Sequence, residues 1–154
     1  MTVADMKKEA AEHLKRFQAL KAEIADAEDE AANIAFSQGS GDPVQSSSIS
    51  DKTARGAAVL ETVAEKRAWV ESIEKSMEWL KEERPDIYLL LYGHYGMRYR
   101  KGYRRKYAKS FTVSYCNVYH ISDSEYKTRR SEGLDEVVHD ATEAGLLKRR
   151  SSQT

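Results

Sequence analysis

Along residues 3–36 apolar side chains recur every three or four positions, at Met6, Ala10, Leu14, Phe17, Leu20, Ile24, Ala27, Ala31 and Ile34. That spacing returns to one side of a helix, so the stretch reads as one long helix with a narrow apolar seam and a charged back. The run SQGSGDPVQSSSIS over residues 37–50 breaks the pattern with glycine, proline and serine and predicts a loop. A second seam follows, through Ala57, Leu60, Val63, Val70, Ile73, Met77 and Leu80, with Ser50 or Asp51 as its cap and an interruption near Arg67. Two narrow seams predict an antiparallel hairpin over residues 1–84, each helix covering the other. Trp69 and Trp79 fall off the strict seam and suggest a further contact face for self-association.

Arg84-Pro85 stops the second helix, since the residue before proline is pushed out of helical geometry while proline suits the first turn of the next. Residues 86–95 carry the most apolar run of the chain, with Ile87, Leu90, Leu91, His94 and Tyr95 at helical spacing. They predict a buried helix on which the remainder of a domain over residues 85–147 packs; residues 148–154 form a tail. His94, on that apolar face, reads as a hydrogen-bonded core histidine rather than a ligand.

The stretch from Thr112 to Val138 reads as two short helices. Tyr115, Cys116, Tyr119 and Ile121 point inward from the first, and Tyr126, Gly133, Leu134 and Val137 from the second. Ser122-Asp123-Ser124-Glu125 between them has the form of a capping box, with Ser122 and Glu125 each bonding the other's amide. The spacing resembles that of a helix-turn-helix, whose second helix enters the DNA major groove; a helical hairpin with no nucleic acid is the alternative. The fold expected is therefore all-α: a long antiparallel helical hairpin followed by a small helix-turn-helix domain. On the second helix Asp123, Ser124, Lys127, Thr128 and Ser131 lie opposite the inward side and are the candidate base contacts, with Lys127 and Thr128 foremost. Arg129 and Arg130 flank that face as candidate phosphate contacts.

The charge distribution strengthens this reading. Net charge is zero, but residues 1–83 hold 11 basic and 17 acidic side chains, residues 84–130 hold 11 and 3, and the rest hold 3 and 5, giving -6, +8 and -2. A basic block within a neutral chain is the electrostatic footprint of a nucleic-acid-binding part. Much of the excess lies in residues 97–111, MRYRKGYRRKYAKSF, where Tyr99, Tyr103 and Tyr107 interleave with Arg98, Arg100, Lys101, Arg104, Arg105, Lys106 and Lys109. Either as a helix or as a basic arm turning at Lys101-Gly102, the segment is expected to clamp the DNA backbone, its tyrosines holding it against residues 87–95.

His120-Ile121-Ser122-Asp123-Ser124, followed by Tyr126, Arg129-Arg130 and Gly133-Leu134, resembles the phage late-gene transcriptional regulators of the RinA and ArpU type, whose DNA-binding part is similar to region 4 of sigma factors. The order of parts is also similar: a helical N-terminal half, a polar loop, an apolar helix, then the helix-turn-helix. Two departures stand out. The family's turn often has glycine where this chain has His120, and the 16 residues between Tyr95 and Thr112 exceed the short connector of a sigma-like domain. The resemblance implies a regulator of late transcription that binds a promoter region, with host RNA polymerase as a further partner.

No glycine-rich phosphate loop, paired-cysteine metal site or nucleophile elbow occurs, so no enzyme, cofactor or metal is expected. The lone Cys116 excludes an internal disulfide and fits a reducing cytoplasm; the resemblance implies that of a bacterial host. No apolar run is long enough to span a membrane, and the first residues lack the apolar core of a signal peptide. A homodimer joined through the hairpin is expected, because pairing two helix-turn-helix units on a symmetric site raises affinity without new contacts. The competing readings are a small terminase subunit recognising packaging DNA and a coiled-coil adaptor whose basic patch meets an acidic protein.

Overall fold

The computed structural model describes residues 1–36 and 46–147. Among these the chain is all-α, with seven helices and no strand: α1 (Val3–Lys15), α2 (Phe17–Phe36), α3 (Ser46–Glu61), α4 (Ala64–Glu83), α5 (Pro85–His94), α6 (Arg105–Tyr119) and α7 (Asp123–Glu143). Each long helix of the expected hairpin is thus two. The first breaks at Arg16, whose φ of -103° and ψ of 12° leave the helical region. The second breaks at Thr62 and Val63, before Arg67, and begins at Ser46, before the expected cap at Ser50 or Asp51. Of the loop expected over 37–50, residues 37–45 lie outside the described residues, as does the tail over 148–154.

The chain forms two compact units, Leu20–Arg67 and Met1–Ala19 with Ala68–Thr154, a division different from a boundary at residue 84. In the first, Leu20, Ile24, Ala27 and Val63 are buried. Lys66 pairs with Glu23 at 2.8 Å and Arg67 with Glu28 at 2.7 Å, while Gly56 lies opposite Ala31; the later residue meets the earlier, as in an antiparallel hairpin. Those exposed ion pairs contribute at most about 1 kcal/mol each, so the buried seam carries the stability.

In the second unit α7 is the hub, which explains why α1 belongs to it. Lys7 of α1 reaches Ser131 Oγ at 2.7 Å and Asp135 Oδ1 at 3.0 Å. Gly133 lies under Ile87 and Leu91 of α5, so close that a Cβ would sit 2.8 Å from both side chains. Ser76 of α4 donates to Asp140 Oδ2 at 2.6 Å in a buried setting. Tyr115 of α6 meets Tyr126 edge to face with ring centroids 5.5 Å apart. Trp69 is fully buried and stacks on His13 at 3.7 Å, whereas Trp79 is 46% exposed; the two tryptophans do not share one contact face. Thr2 and Asp5 form a complete capping box on α1.

The sequence placed the first helix of the pair at Thr112, but α6 begins seven residues earlier, so half of the expected basic insert is its first two turns. Only 97–104 is a connector. The inward facing read for α7 holds: Tyr126, Gly133, Leu134 and Val137 are all buried. Of the four residues read as inward from the first helix only Tyr115 is buried; Cys116, Tyr119 and Ile121 are half-buried.

His120 closes α6 with φ 54° and ψ 48°, the left-handed conformation, and Ile121 N–H bonds back to Cys116 O at 3.1 Å. A side chain there costs about 1 kcal/mol, since Cβ crowds the carbonyl. His120→Gly is expected to raise stability by about 0.5 to 1 kcal/mol, the relief outweighing the added freedom of the unfolded chain. A urea-denaturation midpoint equal to or below that of the parent protein would rule this out.

Candidate nucleic-acid interface

The turn His120–Ser122 sets the entry of α7. Ser122 Oγ accepts from the Glu125 amide at 3.1 Å, forming half of the expected capping box. The reciprocal bond is absent among the described residues; Glu125 instead faces Arg129 at 3.5 Å. An acidic first turn, Asp123 and Glu125, suits the helix dipole.

Of the five candidate base contacts, Asp123, Ser124, Lys127 and Thr128 are exposed on the first two turns of α7. Ser131 is not on that open surface. It is half-buried and held by Lys7, because α1 lies along the next turn of α7.

Arg129 is likewise held by the protein itself. Its guanidinium donates to Tyr115 Oη at 3.3 Å, lies 3.5 Å from both Asp86 and Glu125, and covers the Tyr119 ring at 5.5 Å. Tyr115 Oη in turn donates to the Asp86 carbonyl at 2.6 Å. Although burial opposes it, the hydrogen bond from Arg84 and the charges of Arg84 and Arg129 hold the Asp86 carboxyl below the usual carboxylate range. Arg129 therefore ties α7 to α5 and α6 and is committed before any phosphate arrives.

Arg130 points elsewhere, to the base of a depression of about 220 Å³ at the junction of α6 and α7. Arg105 and Lys109 of α6 and Lys127 and Arg130 of α7 wall it, with Asp123 at one edge. Arg105 stands in the first turn of α6, whose preceding residue, Arg104, supplies no side-chain cap and which contains no acidic residue. Basic side chains at an uncapped helix start oppose the helix dipole, and an anion seated there relieves both faults.

Beneath the depression runs a chain of hydrogen bonds. Arg130 Nη1 is 3.3 Å from His94 Nε2, and His94 Nδ1 is 2.9 Å from Tyr126 Oη. A guanidinium can only donate, so Nε2 accepts and the proton of a neutral ring sits on Nδ1. Burial, with the Arg130 and Lys15 charges adding to it, pushes the His94 pKa down to about 4, and burial pushes Tyr126 up to about 12. This network lines the depression; the sequence signalled the burial of His94 and Tyr126 but not the bond between them.

The basic segment 97–111 is split by α6. Arg105 and Lys109 face the α6–α7 depression, whereas Arg98, Arg100, Lys101 and Arg104 line a second hollow that shares His94 with it. Lys106 is exposed and lines neither. The tyrosines divide too. Tyr103 packs near His94 and Tyr95, at 5.9 and 6.3 Å, but Tyr99 and Tyr107 are 55% and 63% exposed and stack on each other. One clamp of seven cations held down by three tyrosines is not what the chain forms.

His139, Asp140 and Glu143 bring ligand atoms within 4.8 Å of one another. Asp140 is taken up by Ser76, and His139 faces Glu143 at 3.3 Å, which accounts for the cluster without a metal. No helix among the described residues is long and apolar enough to cross a membrane. Compared with protein-family models, curated proteins and solved structures, the chain matches none.

Proposed function

We propose that the chain is a sequence-specific duplex-DNA-binding transcriptional regulator, a phage or prophage late-gene activator working in the cytoplasm of a bacterial host. The observation that carries this reading is the convergence of Arg105, Lys109, Lys127 and Arg130 on one depression beside the exposed start of α7. A backbone phosphate seated there would set the register of the helix, and Lys127 and Thr128, adjacent and exposed, would reach base edges. The late-gene role rests on the resemblance of residues 120–134 to the RinA and ArpU type of regulator. Host RNA polymerase is the partner that such an activator engages.

The protein acts as a homodimer, because a single recognition helix offering two strong base contacts has modest affinity and two-fold pairing multiplies it. Trp79, half-exposed on α4, is its candidate contact.

Selection of bound sequences from a random duplex pool tests the reading. With the preferred duplex, Lys127→Ala is expected to relax preference at one or two positions, at about 1 to 3 kcal/mol. The double variant Arg105→Gln, Lys109→Gln should keep the preferred sequence but flatten the slope of log affinity against log salt by about 2, at roughly 0.9 per phosphate. Failure of the unaltered protein to select any duplex, or an unchanged slope, would overturn the reading. Stimulation of transcription from a promoter bearing the selected site distinguishes an activator from a packaging protein.

A further inference from the structure

We infer that the hollow between α5, α6 and the 97–104 connector is a nucleotide site, taking one aromatic base with its phosphate. It encloses about 460 Å³, within the range of small-molecule sites, and no acidic residue lines it. Four cations do: Arg98, Arg100, Lys101 and Arg104. None of these side chains makes an ion pair or hydrogen bond with a described residue, in contrast to Arg129 and Arg130.

The walls supply the complementary chemistry. Tyr92 and Phe111 line the inner side, and Tyr99 and Tyr107 stand exposed at the rim with ring planes 29° apart. Exposed aromatic faces next to unpaired cations match a ligand that is flat and apolar at one end and anionic at the other. A bare anion leaves the rings unused, and an uncharged aromatic leaves the cations unused. Base–aromatic stacking with a phosphate on arginine uses both.

The hollow is built in advance of any ligand. Gly93 has no Cβ, and one placed there would lie 2.1 Å from Phe111 Cε2, so only glycine lets that ring lie over α5. Gly96 and Gly102 take φ of 60° and 66° to shape the connector, and a Cβ on Gly102 would lie 2.2 Å from the Lys15 carbonyl. The connector is tied down at both ends: Gln18 Nε2 donates to Met97 O at 2.7 Å and Tyr103 N–H to Lys15 O at 3.2 Å. A fixed shape spares the ordering cost that a loose loop would incur on binding.

The site is separate from the duplex-binding proposal. His94 lines both hollows, but their cations differ: Arg98, Arg100, Lys101 and Arg104 here, and Arg105, Lys109, Lys127 and Arg130 in the other. The shared chemistry of base and phosphate has two sources, a free mononucleotide or an unpaired base in a single strand.

Calorimetric titration of the full chain with adenosine monophosphate, adenosine, inorganic phosphate, a short oligothymidylate and its abasic counterpart tests this. Either the mononucleotide or the oligothymidylate should bind saturably, with adenosine, phosphate and the abasic strand each about tenfold or more weaker. Binding of the mononucleotide identifies a free nucleotide as the source; binding of the oligothymidylate alone identifies an unpaired strand. Tyr107→Ala, and separately Arg100→Gln with Lys101→Gln, should weaken the preferred ligand about tenfold at unchanged melting temperature, and Tyr107→Phe should retain it. Lys127→Ala should leave this binding untouched while altering duplex preference. The inference is overturned if neither ligand binds, if phosphate or the abasic strand binds equally well, or if Tyr107→Ala leaves the affinity unchanged.

Discussion

Tyr126→Ala is expected to destabilise the protein by about 3 to 5 kcal/mol, the range for deleting a large aromatic from a core. The ring is 2% exposed where α5, α6 and α7 meet, edge to face with Tyr115 and within 5.8 Å of His94. Truncation removes the packing and also leaves His94 Nδ1 without the partner it has at 2.9 Å. Losing that polar partner adds about 1 to 3 kcal/mol wherever water cannot replace it. Tyr126→Phe separates the two effects, since it keeps the ring and removes only the hydroxyl; it should cost about 1 to 2 kcal/mol. Urea denaturation of both variants checks this. An alanine variant as stable as the parent protein would place the ring outside the core.

The second large effect is acid destabilisation through His94. The side chain is 9% exposed, and its folded-state pKa is down at about 4 against an ordinary 6.5. Between those values the unfolded chain binds a proton that the folded protein refuses, so the unfolded state gains as pH falls. The contribution is fully present above pH 6.5 and declines as pH drops toward 4. At about 1.4 kcal/mol per pH unit the loss over this window is about 3 kcal/mol. The geometry gives the cause: protonation at Nε2 would set a second donor against the Arg130 guanidinium in a buried site. His94→Gln removes the titrating ring, and its stability should vary much less between pH 6.5 and 4. Asp86, whose carboxyl is held below the usual range, accounts for a further loss at lower pH in both proteins. Parallel pH profiles of the two proteins would refute the role of His94.

The inward face of α7 was legible because Tyr126, Gly133, Leu134 and Val137 recur at helical spacing and nothing nearby competes with them. The start of α6 was not. Arg105, Lys106 and Lys109 are good helix formers, but they bury nothing, so an apolar periodicity that begins at Ala108 and Tyr115 shows only in hindsight. The breaks at Arg16 and at Thr62 and Val63 were hidden for the opposite reason: one apolar seam continues across each, and one or two non-helical residues leave the recurrence of apolar positions in place.

What the sequence determined by itself is what depends on near neighbours in the chain: helical class, the facing of α1, α4, α5 and α7 but not of α3, whose Ala57 and Leu60 are exposed, the Ser122 cap and the concentration of positive charge in residues 84–130. Tertiary packing decided everything that depends on which helix lies opposite. It set Lys7 on Ser131, gave Arg129 to Asp86 and Tyr115, and divided between two hollows a group of cations that is continuous in sequence. The His94–Tyr126 bond spans 32 residues and the Ser76–Asp140 bond 64, and pairs so far apart leave no periodic trace. Spacing fixes the angle of a side chain about its own helix axis, whereas the partner it meets at that angle is chosen by how the helices bury one another.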